Sequence, residues 1–84
     1  MAYYVSAIKG RRKALALGPF RRHGDALAMV GWVRDWAVRH VRDVDHFDTA
    51  WGTAHDRAGH DPGRLNEAFG VMLDNAGYIV TPAR

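Results

Sequence analysis

With 84 residues, 48% of them hydrophobic and including three Trp, three Tyr and three Phe, the chain has the composition of one folded domain rather than a disordered tail. A net charge of +3 allows an acidic partner, but nine acidic residues are interspersed with the twelve basic ones. The absence of Cys excludes disulfides and thiolate metal sites, and no apolar run approaches the ~20 residues of a membrane span.

Residues 1–84 read as a single domain, without repeat, low-complexity segment or linker. Met1 leads directly into strand-like sequence and not into a signal core, so a soluble protein of the cytoplasm is expected, with no membrane partner. Ten of the twelve basic residues are Arg, and together with abundant Ala, Gly and Val this follows a GC-rich coding bias. That bias weakens Arg as a sign of function.

Tyr3 to Lys9 alternates Tyr3, Val5 and Ala7 against Tyr4, Ser6 and Ile8, which predicts a strand. Lys13 to Leu17 alternates again, with Leu15 and Leu17 on one face, and Gly10 with Arg11 fits a tight hairpin turn between them. Gly18 and Pro19 are expected to stop this second strand.

A long amphipathic helix follows over residues 24 to 46, starting near Gly24 or Asp25 and ending around Asp45 to Asp48. Ala26, Val30, Val33, Ala37, Val41 and Val44 recur at spacings of three and four and form its buried stripe. At about 100° per residue, Trp32 points almost directly away from that stripe, while Met29, Trp36 and Phe47 lie along one flank. Arg34 falls inside the apolar arc and is expected to snorkel or to pair with an acid.

Ala50 to Arg57 reads as a third strand, with Trp51, Thr53 and His55 on one face and small residues on the other. A second helix is expected from Asp61 as N-cap and Pro62 as first helical residue to a stop at Gly77. Leu65, Ala68, Phe69, Met72, Leu73 and Ala76 supply its helical spacing, despite Gly70 in the interior. Tyr78 to Thr81 then forms a short last strand before Pro82. The expected fold is α+β, an antiparallel sheet in ββαβαβ order with one long and one shorter helix packed on one face.

Nucleophilic catalysis has few candidates. Ser6 lies mid-strand without a strand-to-helix elbow, and Thr49, Thr53 and Thr81 are no better placed. Asp45 with His46, His55 with Asp56 and His60 with Asp61 are adjacent pairs, but neighbours on a strand or helix point apart, so none is an oriented acid and base. His40 and His46 are six residues apart, about 240° around a helix, and cannot share an ion. His55 and His60 flank a turn without evident further ligands, and no phosphate-cradling Gly motif occurs. No enzyme activity, cofactor, metal or small-molecule substrate is expected.

Two surfaces remain. Trp32 and Trp36, with Met29, Arg39 and Asp43 nearby, have the composition of a protein interface, where Trp and Arg anchors are enriched. The bland reading is that the C-terminal segment covers Trp32 while Trp36 and Met29 widen the core. The second surface is basic: Lys9, Arg11, Arg12 and Lys13 crown the hairpin, and Arg21, Arg22 and His23 enter the helix at the other end of the second strand, on the order of 20 Å away. Its bland reading is a solvated, charged turn that discourages aggregation.

The runs YYVSAIKG, GPF with HGDALAMV after it, FDTAWGTA and GRLN resemble small uncharacterised proteins of actinobacteria and their phages, over roughly residues 3 to 66. The strand, GPF and helix region is more weakly similar to ββα modules, including SPOR domains and the sheet domain by which some phage integrases bind DNA. The Thr and Lys pattern that such integrase domains place before the helix is missing here. The resemblance carries no enzymatic residues; it implies a phage accessory protein acting on host machinery in the cytoplasm of a bacterial host cell. The expected function is binding of a host protein, or of a second copy in a homodimer, through Trp32, Trp36, Met29 and Arg39. Nucleic-acid binding through Lys9, Arg11, Arg12, Lys13, Arg21 and Arg22 is the alternative.

Overall fold

The alternation at the start of the chain builds the centre of a sheet. In the computed structural model, which describes residues 1–40, 49–57 and 61–80, β1 (Ala2–Lys9) pairs antiparallel with β2 (Arg12–Phe20) on one side and with β3 (Ala50–Asp56) on the other. The helix α1 (His23–His40) lies across all three strands, and a short helix α2 (Asn66–Phe69) follows β3. The architecture is α+β with a three-stranded antiparallel sheet and two helices, one of them long.

Period-two alternation divides β1 between two packing layers. Val5 and Tyr3 join Leu17, Phe20, Ala26, Val33 and Trp51 in the cluster between sheet and α1, whereas Ala2 and Tyr4 pack with Tyr78 and Leu15 on the opposite face. On α1 the expected stripe holds: Ala26, Val33 and Ala37 are buried and Val30 is half-buried. Val41, Val44, Phe47 and the expected helix end near Asp45 to Asp48 lie outside the described residues.

Two expectations for β2 are corrected. Gly18 and Pro19 do not stop the strand; it runs on to Phe20, with a cis Gly18–Pro19 peptide inside it. Leu15 and Leu17 do not share a face either. Register shifts interrupt the pairing between Tyr3↔Phe20, Val5↔Leu17 and Ser6↔Leu15, so β2 has an extra residue at Ala16, and Leu17 reaches the α1 side while Leu15 reaches the other.

The second helix is also corrected. Asp61 and Pro62 do not begin it; Asp61 instead offers its backbone oxygen to the buried Tyr4 hydroxyl at 2.8 Å. Residues 63–65 run along the outer edge of β2, where the N–H groups of Gly63, Arg64 and Leu65 donate to the carbonyls of Gly18, Leu15 and Ala16 at 3.0, 2.9 and 2.7 Å. The approach at Gly63 is so close that a Cβ there would sit 2.7 Å from Leu17 Cα. Helix formation then lasts only from Asn66 to Phe69, because Gly70 adopts a left-handed conformation (φ 63°, ψ 34°) and caps it.

The apolar residues expected to continue that helix lie instead on a tight excursion over residues 71–80. Leu73 and Ile79 bridge across it, Val80 N–H donates to Met72 C=O, and Ile79 N–H donates to Pro19 C=O, both at 2.8 Å. This pairing stands where a last strand was expected, so the described residues hold three sheet strands and not four; Thr81 lies outside them. No helix among the described residues is long and apolar enough to cross a membrane.

Candidate functional site: an apolar cleft beside the long helix

Because the chain turns back at Gly70, the 71–80 excursion stands beside α1 and leaves a cleft of about 480 Å3 between them. Met29 and Trp32 of α1 form one wall; Phe69, Val71, Met72 and Val80 form the other, over a floor that includes Leu17, Phe20 and Ile79. Asp25, in the first turn of α1, is the only ionisable side chain among the described lining residues.

The aromatic flank of α1 is partly covered by the chain itself. The Phe69 ring packs between both tryptophans, with centroids 4.7 Å from Trp32 and 4.9 Å from Trp36. Trp36 also lies 4.8 Å from the His40 ring and is half-buried, which assigns it to packing. Trp32 remains 46% exposed despite Phe69, and beside it Met72 is 73% and Val80 50% exposed. Singly exposed apolar side chains are ordinary; several around one concavity are not.

Polar contacts outside the cleft hold its walls. The buried Asn66 amide reads Gly18 on both sides: Gly18 N–H donates to Asn66 Oδ1 at 3.1 Å, and Asn66 Nδ2 donates to the Gly18 carbonyl. A side chain thus imitates a paired strand and fixes the start of α2 to β2. The Asp74 carboxylate accepts from the backbone N–H of Ala76 at 2.9 Å and of Tyr78 at 3.0 Å, and it meets Arg21 Nη2 at 2.9 Å. Those donors, Tyr78 N–H first and Arg21 next, hold its carboxyl below the usual range. The Arg21 guanidinium also lies 4.3 Å above the Tyr78 ring.

The structure therefore separates the residues singled out in the sequence. Met29 and Trp32 line the cleft, while Trp36 and Arg39 do not; the Arg39 Nε donates to the Asp35 carbonyl one turn back at 3.3 Å. Asp43 lies outside the described residues. Arg34 is exposed and meets Asp35 at 3.4 Å, an ion pair of small consequence in water. Phe69, Val71, Met72 and Val80 were missed as site residues, since helical spacing assigned Phe69 and Met72 to a buried stripe. Gly70 in the middle of that spacing was the available signal.

The basic residues separate too. Lys9, Arg12 and Lys13 line a second concavity at the hairpin end of the sheet together with Arg64; Arg11 is exposed in the turn. At the other end of β2, Arg21 is engaged by Asp74 and Tyr78, and the Arg22 carbonyl accepts the first N–H bonds of α1. The two clusters do not form one surface.

As for catalytic groups, Ser6 is buried within β1. His23 Nε2 lies 2.9 Å from Thr53 Oγ1, and the His23 and His55 rings flank Tyr3 at 5.7 and 6.4 Å. Asp56, next to His55, pairs with Ala2, whereas His55 pairs with Tyr3, so strand alternation separates that acid from its imidazole. No group of three His, Cys, Asp or Glu side chains that could hold a metal occurs among the described residues; His46 and His60 lie outside them. Comparison with protein-family models, curated proteins and solved structures found no match to this chain.

Proposed function

We propose that the chain is a non-enzymatic binding protein whose cleft beside α1 receives a large apolar side chain of a partner protein. The observation that carries this reading is the cleft itself, a concavity of about 480 Å3 walled by Met29, Trp32, Phe69, Met72 and Val80. Half-exposed Trp and Met side chains around such a concavity match the makeup of interface anchors, and mobile Met side chains adapt to the shape of what enters. With Asp25 as the only ionisable group among the described lining residues, the fitting anchor is an aromatic or branched aliphatic side chain with Lys or Arg close to it in sequence. In the phage accessory role implied by resemblance, the partner is a protein of the bacterial host cell.

Selection of a displayed random peptide library on the immobilised protein tests this. Peptides enriched in a large apolar residue next to Lys or Arg are expected, and Trp32→Ala should weaken them about 30-fold, the equivalent of about 2 kcal/mol for an anchor residue. Enriched peptides without such an anchor, or equal affinity for Trp32→Ala and for Met72→Glu, overturn the proposal. Self-association abolished by Met72→Glu would make a second copy the occupant instead.

A further inference from the structure

We propose that the concavity at the hairpin end of the sheet is a site for the phosphate backbone of nucleic acid, separate from the apolar cleft and independent of what occupies that cleft. It encloses about 560 Å3 and is lined by Ala7 and Lys9 of β1, Arg12, Lys13 and Ala14 of β2, Thr49 and Arg64. Lys9, Arg12 and Arg64, cations from three segments of chain, line one space that Lys13 also borders, and none of the described lining residues is acidic.

The fold is what gathers them. Lys9 stands opposite Arg12 and Ala7 opposite Ala14 in the β1–β2 register, so a basic pair lies next to a pair of small side chains that leaves room between the charges. Arg64, fifty-one residues beyond Lys13 in sequence, arrives because its N–H donates to the Leu15 carbonyl at 2.9 Å, between the parallel attachments of Gly63 and Leu65 to the β2 edge. Backbone bonds on both sides thus hold the Arg64 Cα at this rim of β2.

The chemistry selects a phosphodiester chain. Two guanidiniums present forked N–H donors that match phosphate oxygens, and the Lys9 ammonium adds unspecific charge. The described lining includes no aromatic ring on which a base could stack and no amide side chain that could read a base edge. Such a site binds backbone charge without regard to sequence.

The test is fluorescence anisotropy with labelled random-sequence duplex and single-stranded oligonucleotides of about 20 nucleotides, titrated between about 50 and about 200 mM KCl. Contact with three duplex phosphates predicts a roughly 40-fold loss of affinity across that range, with little dependence on sequence. Arg12→Gln with Arg64→Gln should reduce the salt slope by about 2, because each removed cation accounts for about one released counterion. Arg57→Gln, an exposed cation just beyond β3 at the end of the sheet away from the hairpin, should leave affinity and slope unchanged while thermal unfolding confirms that all variants fold; if Arg64→Gln unfolds the chain, Arg12→Gln with Lys9→Gln decides. Equal loss on Arg57→Gln, salt-independent binding, no binding at the lowest salt, or full competition by millimolar inorganic phosphate would each overturn the proposal, the last by marking a small-anion site.

Discussion

Replacing Asn66 by Asp changes one NH2 group to an oxygen, and the structure makes that exchange costly at neutral pH and mild in acid. In the native chain Asn66 Oδ1 accepts from Gly18 N–H at 3.1 Å while Nδ2 donates to the Gly18 carbonyl, in a site where Asn66 is only 7% exposed. Ionised Asp keeps the first bond but turns a charged oxygen toward the Gly18 carbonyl, which retains only the Gly63 N–H, so the new oxygen meets an acceptor instead of a donor and a charge is buried. An unsatisfied buried acceptor costs about 1–3 kcal/mol and a buried charge more, so a loss of about 3 kcal/mol is expected at pH 7. For so small a domain, with a total stability of roughly 5–10 kcal/mol, that corresponds to a fall in Tm of more than about 10 °C. Protonated Asp has an O–H that can donate to the same carbonyl, so the folded state raises the carboxyl pKa above its unfolded value near ~3.9. A group raised in this way contributes stability that is present below the unfolded pKa and lost as pH rises through the folded one. Urea unfolding of wild type and Asn66→Asp, followed by circular dichroism between about pH 3.5 and about pH 7.5, should therefore show a difference that grows with pH and then levels off. A pH-independent difference, or one below about 1 kcal/mol at pH 7, would refute the paired, buried amide.

Other perturbations test other parts of the account. Gly63→Ala places a Cβ 2.7 Å from both the Ala16 oxygen and Leu17 Cα, backbone atoms that cannot move aside, and should lower stability by about 2–3 kcal/mol in the same urea assay. Asp74→Asn should flatten the acid limb of the stability curve: the Asp74 pKa is lowered in the fold, so its contribution is present above the unfolded value and is lost as pH falls through the folded one. Burial raises the Tyr4 pKa, with Asp56 and Asp61 acting in the same direction, so the folded chain loses stability above about pH 10 as the unfolded Tyr4 ionises; Tyr4→Phe should remove that loss at a cost of about 1 kcal/mol for the bond to Asp61. Trp32→Ala gives up an edge contact with Phe69 worth about 1 kcal/mol yet should still unfold cooperatively, because much of the Trp32 surface already faces water.

The long-range features are where sequence reasoning and structure diverge. The hairpin, β3 and the Ala26, Val33 and Ala37 stripe follow from local periodicity, since alternation and three-four spacing report directly on which faces meet the core. Local spacing fails over Leu65 to Ala76, where the apolar pattern suits a helix but the outer edge of β2 needs partners for its carbonyls. Residues 63–65 meet that need, Asn66 completes it, and Gly70 then ends the helix after four residues. The bulge at Ala16 is equally silent in sequence, because alternation assumes an uninterrupted register. For the site, one wall was legible: Trp32 on the side of α1 away from the core, with Met29 near it. The other wall depends on the turn at Gly70, and the arrival of Arg64 beside Lys9 and Arg12 depends on backbone pairing across some fifty residues.

Three methionines offer a direct reading of cleft occupancy, because Met29 and Met72 line the cleft and Met1 does not. The decisive measurement is a methyl NMR titration of 13C-methyl-methionine-labelled protein with the tightest selected peptide. Shifts of the Met29 and Met72 methyl resonances that saturate with the measured Kd, alongside an unmoved Met1, are the predicted result. Binding that leaves Met29 and Met72 unperturbed would place the peptide elsewhere and contradict the cleft as the protein-binding site.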